Sequence, residues 1–374
     1  MARYSVSGWR ASAMSGDPLL SSTAARPVVI GTGLVALDVV FGPDGGGSIG
    51  RWAGGTCGNV LTILASLGWT SYPVARLAGD EPAQALCQDM ANWGVRLDYV
   101  SSSAQGSTPV IIQYLRRDDR GAVHHKFSMK CPVCGHYLPA YRPVPSRDVR
   151  KLIDVMPKPE VYFFDRCSRG ALDLAYAFRE GGALVVFEPS GQGDPALFAE
   201  AIDLAHIVKY SRERWAGREI ARPGERTWLV VETLGGEGLR FSCQLPSFQT
   251  GGWDHLPATV VVGIEDAAGS GDWCTAGIVA CLGGNGAAGL SRSGEREVRS
   301  ALGRAQALAS WNCGFQGARG GMYSPQRTRL AEILSGVLPE KHDIRMRKRK
   351  LPPMKDGRTL LGTPSCCDGR EIHV

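Results

Sequence analysis

No stretch of the 374-residue chain stays apolar for the roughly 18 residues that a membrane-spanning helix needs. A membrane bundle is excluded, and no membrane partner is expected. Residues 1–26 are rich in Ser, Ala and Arg and lack the continuous apolar core of a secretory signal, so the expected location is the cytoplasm. An excess of one charge is missing too, because 36 acidic residues offset most of the 42 basic ones and leave a net +6. The clearest cationic run, residues 345–350, sits in the tail, and nucleic acid is not an expected partner. Eleven cysteines are odd in number and fall mostly in apolar segments (Cys57, Cys87, Cys274, Cys281), the pattern of reduced thiols and not of a disulfide framework. Internal repeats are absent. So is any G-x-x-x-x-G-K-[ST], which rules out a P-loop.

What is present is an ordinary soluble composition, 44% hydrophobic and 21% charged, in a chain long enough for a proper core. Forty-eight glycines and 22 prolines cut the sequence into short apolar runs that alternate with longer helical stretches, as in α/β proteins. Residues 28–30, 161–164, 183–187 and 228–231 read as buried strands, being short β-branched or aromatic runs between turn residues. Residues 59–67, 82–93, 168–180 and 194–204 place apolar side chains three and four apart and read as amphipathic helices. Their alternation from 161 to 231 predicts parallel pairing through right-handed crossovers, hence a doubly wound sheet with ligands at the strand C-termini. Residues 108–129 break this rhythm: 110–115, a turn at 118–121 and 122–127 read as an antiparallel hairpin that can act as a lid. The expected organisation is a disordered N-terminal arm (1–27), an α/β domain (28–325) carrying the lid (about 108–129) and an insertion (about 130–145), and a basic tail (326–374). Gly31-Thr-Gly33-Leu-Val-Ala36 mimics a dinucleotide fingerprint, but the glycines of 42–50 interrupt any following helix and no acidic residue occurs between 45 and 79.

The richest stretch is Glu265-Asp266-Ala267-Ala268-Gly269-Ser270-Gly271-Asp272, which precedes an apolar helix at 273–282. Small residues there let successive backbone amides converge at a helix N-terminus, where the dipole and the unpaired N–H groups favour an anion. If the anion is a phosphoryl group in transfer, the amides stabilise developing charge and Asp272 accepts the proton of the attacking hydroxyl. The plainer reading makes Asp272 a helix cap.

The order of motifs decides between the two. Asp266-Ala-Ala-Gly-Ser-Gly-Asp272 resembles the D-T-x-G-A-G-D signature of the ribokinase-like (PfkB) family of sugar and nucleoside kinases. Val29-Ile-Gly-Thr-Gly-Leu-Val-Ala-Leu-Asp38 is similar to that family's opening strand, Gly54-Gly55-Thr-Cys-Gly-Asn59 to its G-G-x-x-x-N, and Thr233-Leu-Gly235-Gly-Glu-Gly238 to its T-x-G-x-x-G. Leu67-Gly68, Gly79-Asp80, Trp93-Gly94-Val95 and Gly317-Ala318 fall in family order between and after these. The resemblance implies a three-layer α/β/α doubly wound fold with a small β lid, and ATP-dependent phosphorylation of an alcohol on a small sugar. Asp272 becomes the general base, with the amides of Gly269, Ser270 and Gly271 as the anion hole. Asp38, Gly54, Gly55 and Asn59 hold the hydroxylated substrate, while Lys209, Thr233, Gly235 and Gly238 serve ATP. Glu213 is the implied Mg2+ residue, and Asp266 with the Ala268 carbonyl the implied ligands of a monovalent cation such as K+. A nucleoside is the alternative substrate, with Tyr114 or Phe127 stacking a base; a weakly catalytic ligand sensor or partner-binding protein is the alternative of another class.

Three features depart from the family pattern. In Lys209-Tyr-Ser211-Arg-Glu213-Arg214, Ser stands for the family Asn and Arg214 for its Glu, with Glu213 one residue early. Glu188-Pro189-Ser190 stands for a D-x-N. Cys131-Pro-Val-Cys134-Gly135 has the shape of half a zinc knuckle; it needs two more ligands from His124, His125, His136 or the same pair of a second subunit, or else is a turn carrying two thiols. The preferred form is a four-thiolate Zn2+ site shared across a homodimer joined through the lid. Cys366-Cys367 in the tail are not expected to bind metal.

Overall fold

The computed structural model describes residues 25–42, 48–117, 123–259 and 263–336; the turn read at 118–121, residues 1–24 and the tail from 337 lie outside them. Among the described residues the chain runs β1 (Val28–Thr32), β2 (Ala36–Phe41), β3 (Ser48–Gly54), α1 (Thr56–Ser66), β4 (Thr70–Leu77), α2 (Glu81–Asn92), β5 (Val100–Ser102), β6 (Val110–Arg117) and β7 (Val123–Ser128). It continues through α3 (Ser146–Ile153), β8 (Val161–Phe164), α4 (Arg169–Glu180), β9 (Leu184–Phe187), α5 (Pro195–Leu204), β10 (Ile207–Ser211), β11 (Leu229–Thr233), β12 (Leu239–Cys243) and β13 (Asp254–Leu256). Helices α6 (Ser270–Leu282), α7 (Gly286–Ser291), α8 (Glu295–Asn312) and α9 (Arg329–Ser335) follow. No helix among the described residues is long and apolar enough to cross a membrane.

The main sheet has the order β13-β12-β11-β10-β9-β8-β1-β4-β5, parallel from β5 to β11 and antiparallel only at β12 and β13. The period-two geometry of a strand explains why its central members are apolar throughout. In β8, Val161 and Phe163 enter the core with α1, α6 and α8, while Tyr162 and Phe164 enter a second core with α4 and α5. Helix starts are set locally: Asp80 accepts from Ala83 N–H, Ser168 from Ala171 N–H, and Asp194 from Ala196 and Leu197 N–H, which satisfies amides that a helix leaves unpaired.

A second sheet, β3-β2-β6-β7, contains the expected hairpin: β6 and β7 pair antiparallel. It is larger than the sequence reading, because β2 and β3 complete it. The opening segment 29–38 is not one strand; β1 stays in the main sheet and β2 pairs with β6 in the lid. The folded body also extends past 325. Leu330 and Ile333 of α9 are 3% and 1% exposed and belong to the main core, so residues 326–336 are part of the domain and not of a tail.

Candidate active site

The parallel strands end beneath the N-terminus of α6, whose cap is Gly269 in the left-handed region (φ 72°). A Cβ at Gly269 would stand 2.2 Å from the Ala318 carbonyl, so close approach of two backbones requires glycine here. The first turn of α6 therefore presents its amides beside the 317–319 loop, and Asp272 lies in that turn. Asn59 of α1 donates through Nδ2 to Asp272 Oδ2 at 2.7 Å. Burial, then the neighbouring Glu188 carboxylate, push the Asp272 carboxyl up to about 8, against the opposing pull of the Asn59 hydrogen bond and the charges of Lys209 and Arg214. A carboxyl tuned near neutrality suits a group that takes up a proton during reaction.

Behind this turn, Lys209 of β10 is 1% exposed. Its Nζ donates to Glu188 Oε1 at 2.6 Å and to the Gly271 carbonyl at 2.9 Å, and Thr275 Oγ1 donates to Glu188 Oε2 at 2.5 Å. Glu188 and Lys209 thus form a buried pair that braces the start of α6. Asp266 fastens the same region: Oδ1 accepts from Ala268 N–H (2.7 Å), Oδ2 from Gly317 N–H (2.8 Å), and His125 Nε2 of the lid stands 2.7 Å from Oδ1. The Ala268 carbonyl accepts from Asn312 Nδ2 at 3.4 Å. Both groups expected to hold a monovalent cation thus accept hydrogen bonds within the protein.

Between the lid and the body lies a cavity bordered by Asp38, Trp52, Gln113, Gly317, Arg319 and Tyr323. Asp38 reaches it because its neighbour is glycine: a Cβ on Gly54 would stand 2.0 Å from Asp38 Oδ2. Burial pushes the Asp38 carboxyl up to about 7, with the Arg319 charge opposing. Gly55 caps α1 at φ 75°. The sequence reading brought Asp272, Asn59, Asp38, Gly54, Gly55 and Lys209 to the site, and the structure assembles them. It missed Arg319, whose Nε donates to Asn59 Oδ1 at 3.1 Å; the flagged Gly317-Ala318 pair directly before it was the available signal.

The remaining expected residues lie on β10, β11, the turns after them and the second sheet. Thr233 ends β11 and donates through Oγ1 to the Tyr210 carbonyl at 3.4 Å, and Gly235 and Gly238 turn the chain into β12. Glu213 and Arg214 are both exposed on the turn after β10. Of the two, it is the Arg214 charge that acts on Asp272. Tyr114 stacks on Phe41 with centroids 5.3 Å apart, and Phe127 is 57% exposed beside His125.

Cys131 and Cys134 fall on a tight hairpin in which Gly135 N–H donates to the Cys131 carbonyl (3.0 Å) and Cys131 N–H to that of His136 (2.8 Å). Cys131 is buried, and Cys134 is exposed. His125 is not available to them, being turned to Gln113 and Asp266; the His124 side chain lies outside the described residues. Among the described residues no three His, Cys, Asp or Glu side chains group as a metal site.

The sequence matches no family model, and no curated protein sequence matches it. The structure is similar to fructokinase from Vibrio cholerae bound to fructose, ADP and calcium (TM-score 0.61, 19% identity, 84% of this chain and 99% of that one). It is also similar to Arabidopsis thaliana ribokinase complexed with ribose and ATP (0.57, 18%, 83% and 99%) and to Burkholderia thailandensis nucleoside kinase in complex with inosine (0.58, 16%, 82% and 96%). The chain has the ribokinase-like α/β fold, with the second sheet in the place of its lid.

Proposed function

We propose that the protein is an ATP-dependent kinase that phosphorylates a hydroxyl of a small sugar. The observation that carries this reading is Asp272 in the first turn of α6, held by Asn59 at 2.7 Å, with Asn59 in turn bonded to Arg319, which borders the cavity that Asp38 also lines. The acceptor hydroxyl gives its proton to the Asp272 carboxylate as its oxygen bonds to the γ-phosphorus of ATP and the bond to the β-phosphate oxygen breaks, releasing ADP. The amides of Gly269, Gly271 and Asp272 face the charge on the transferring group, while Ser270 N–H, expected among them, donates to the Ala267 carbonyl at 3.2 Å. Thr233, Gly235 and Gly238 lie along the nucleotide, whose Mg2+ neutralises phosphate charge when bound. Glu213, exposed on the turn after β10, is the carboxylate assigned to face it, while Glu188 is taken by Lys209 and Thr275. A sugar is favoured over a nucleoside because both aromatic candidates for stacking a base already have ring partners, Tyr114 on Phe41 and Phe127 on His125.

Asp38→Ala is expected to weaken sugar binding by about tenfold to a hundredfold, the range of a hydrogen bond to a charged group, and to leave ATP binding within about twofold. Calorimetric titration with each ligand checks this. An equal loss for both would give Asp38 a structural role at the lid.

The lid hairpin supports a second element of the reading, a homodimer with one Zn2+ held by Cys131 and Cys134 of each chain. Two thiols on a closed turn supply half of a tetrahedral site. Metal analysis should find about one zinc per two chains, and Cys134→Ser should shift the dimer toward monomer in sedimentation without unfolding the α/β body. A metal-free dimer would refute it.

A further inference from the structure

Arg319 combines features that a structural staple alone does not need. It is 3% exposed, yet its guanidinium is committed on two of its three nitrogens. Nη2 donates to the Ala53 carbonyl and to Asp89 Oδ2, each at 2.5 Å, and Nε donates to Asn59 Oδ1 at 3.1 Å. Asp89 is itself fully engaged, accepting from Ala53 N–H at 2.8 Å and from Tyr323 OH at 2.9 Å. Nη1 is buried and has no partner among the described residues, and the same is true of Asp38 Oδ1. Both residues border the same cavity. A buried charged donor and a buried charged acceptor left without partners are each costly, and a molecule between them that supplies an acceptor and a donor removes both costs.

We propose that Arg319 is a specificity-determining residue of the acceptor site, donating from Nη1 to an oxygen of the sugar while Asp38 accepts a sugar hydroxyl, and that through Nε it positions Asn59 and hence Asp272. This rests on the kinase reading above. Charge fixes the class of sugar. The single cation is already matched by Asp89 and lies near Asp38, so a carboxylate or phosphate placed at Nη1 would bring a further anion into a buried site with no cation to spare. A hydroxyl, ring or keto oxygen carries no such cost. The acceptor is therefore a neutral polyol, and sugar acids and sugar phosphates are rejected.

Two experiments test this on the full chain. With the wild-type protein, D-fructose and D-ribose are compared with D-gluconate and fructose 6-phosphate as acceptors and as competitors. Neutral sugars are expected to be phosphorylated and the anionic ones neither phosphorylated nor competitive at tenfold higher concentration. An anionic sugar that is preferred overturns the proposal, and it does so whether or not any variant folds. Next, monodeoxy analogues of the accepted sugar are compared in wild type, Arg319→Lys and Arg319→Gln. One analogue should lose about tenfold to a hundredfold in kcat/KM with wild type and lose little further with Arg319→Gln, with Arg319→Lys intermediate. The variants should also lose kcat through the Asn59 contact. If every deoxy penalty is the same in wild type and variants, Arg319 is a staple and the inference fails while the kinase reading stands. If wild type phosphorylates none of these acceptors, neutral or anionic, it is the kinase reading that fails.

Discussion

Replacing Asp272 by Asn is expected to cut phosphoryl transfer by about a hundredfold to ten-thousandfold, the usual contribution of a general base, with ATP still bound. The amide keeps the shape of the carboxylate and its place beside Asn59 Nδ2 but cannot take the hydroxyl proton. The pH dependence should carry the same signature. The Asp272 carboxyl is raised from 3.8 to about 8 by burial and by Glu188, and the base must be ionised to act. Wild-type kcat/KM should therefore fall as pH drops through that region and level off above it. In Asp272→Asn the residual rate should lose the limb near 8 and keep only the dependence that Asp38, raised to about 7, brings to sugar binding. Turnover close to wild type in the variant, with the limb intact, would place the base elsewhere.

The largest expected effect on stability comes from Lys209→Met. The Lys209 and Glu188 side chains are 2% and 8% exposed and meet at 2.6 Å. Removing one partner of a buried pair leaves an uncompensated charge and costs about 3–5 kcal/mol. Methionine fills most of the lysine's volume, so the loss reports charge more than a cavity. Urea unfolding should show it, and Lys209→Met combined with Glu188→Gln should recover most of it, because the neutral amide still accepts from Thr275 Oγ1. A loss below about 1 kcal/mol for the single variant would mean that the pair behaves as a solvated one. Activity should fall as well, since Lys209 Nζ holds the Gly271 carbonyl in the turn that carries Asp272.

Much of this architecture was legible in the sequence, for physical reasons that differ by element. β8, α4, β9 and α5 announce themselves because buried parallel strands are apolar throughout and their crossover helices carry a clean three-four period with Ser168 and Asp194 as caps. The split between β1 and β2 was hidden, since an apolar run continues across Gly33 and Leu34 and nothing local says that the chain changes sheets there. Asp272, Asn59 and Asp38 were readable from ordered motifs. Arg319 was not: a single arginine in a Gly-rich loop looks solvated, and the residues that bury it, Asp89 and Asn59, lie 230 and 260 positions away. The role of Glu188 was half legible, as a departure from pattern whose consequence, a pair with Lys209, appears only when β9 and β10 lie side by side.

The central claim is tested most directly by following the γ-phosphoryl group of labelled ATP in the presence of D-fructose or D-ribose, with the wild-type protein and Asp272→Asn in parallel. The account predicts a phosphorylated sugar and an equal amount of ADP with the wild type, and about a hundredfold less or lower with the variant. ATP that binds yet passes its phosphoryl group to no hydroxylated acceptor, or passes it equally well without the Asp272 carboxylate, would contradict it.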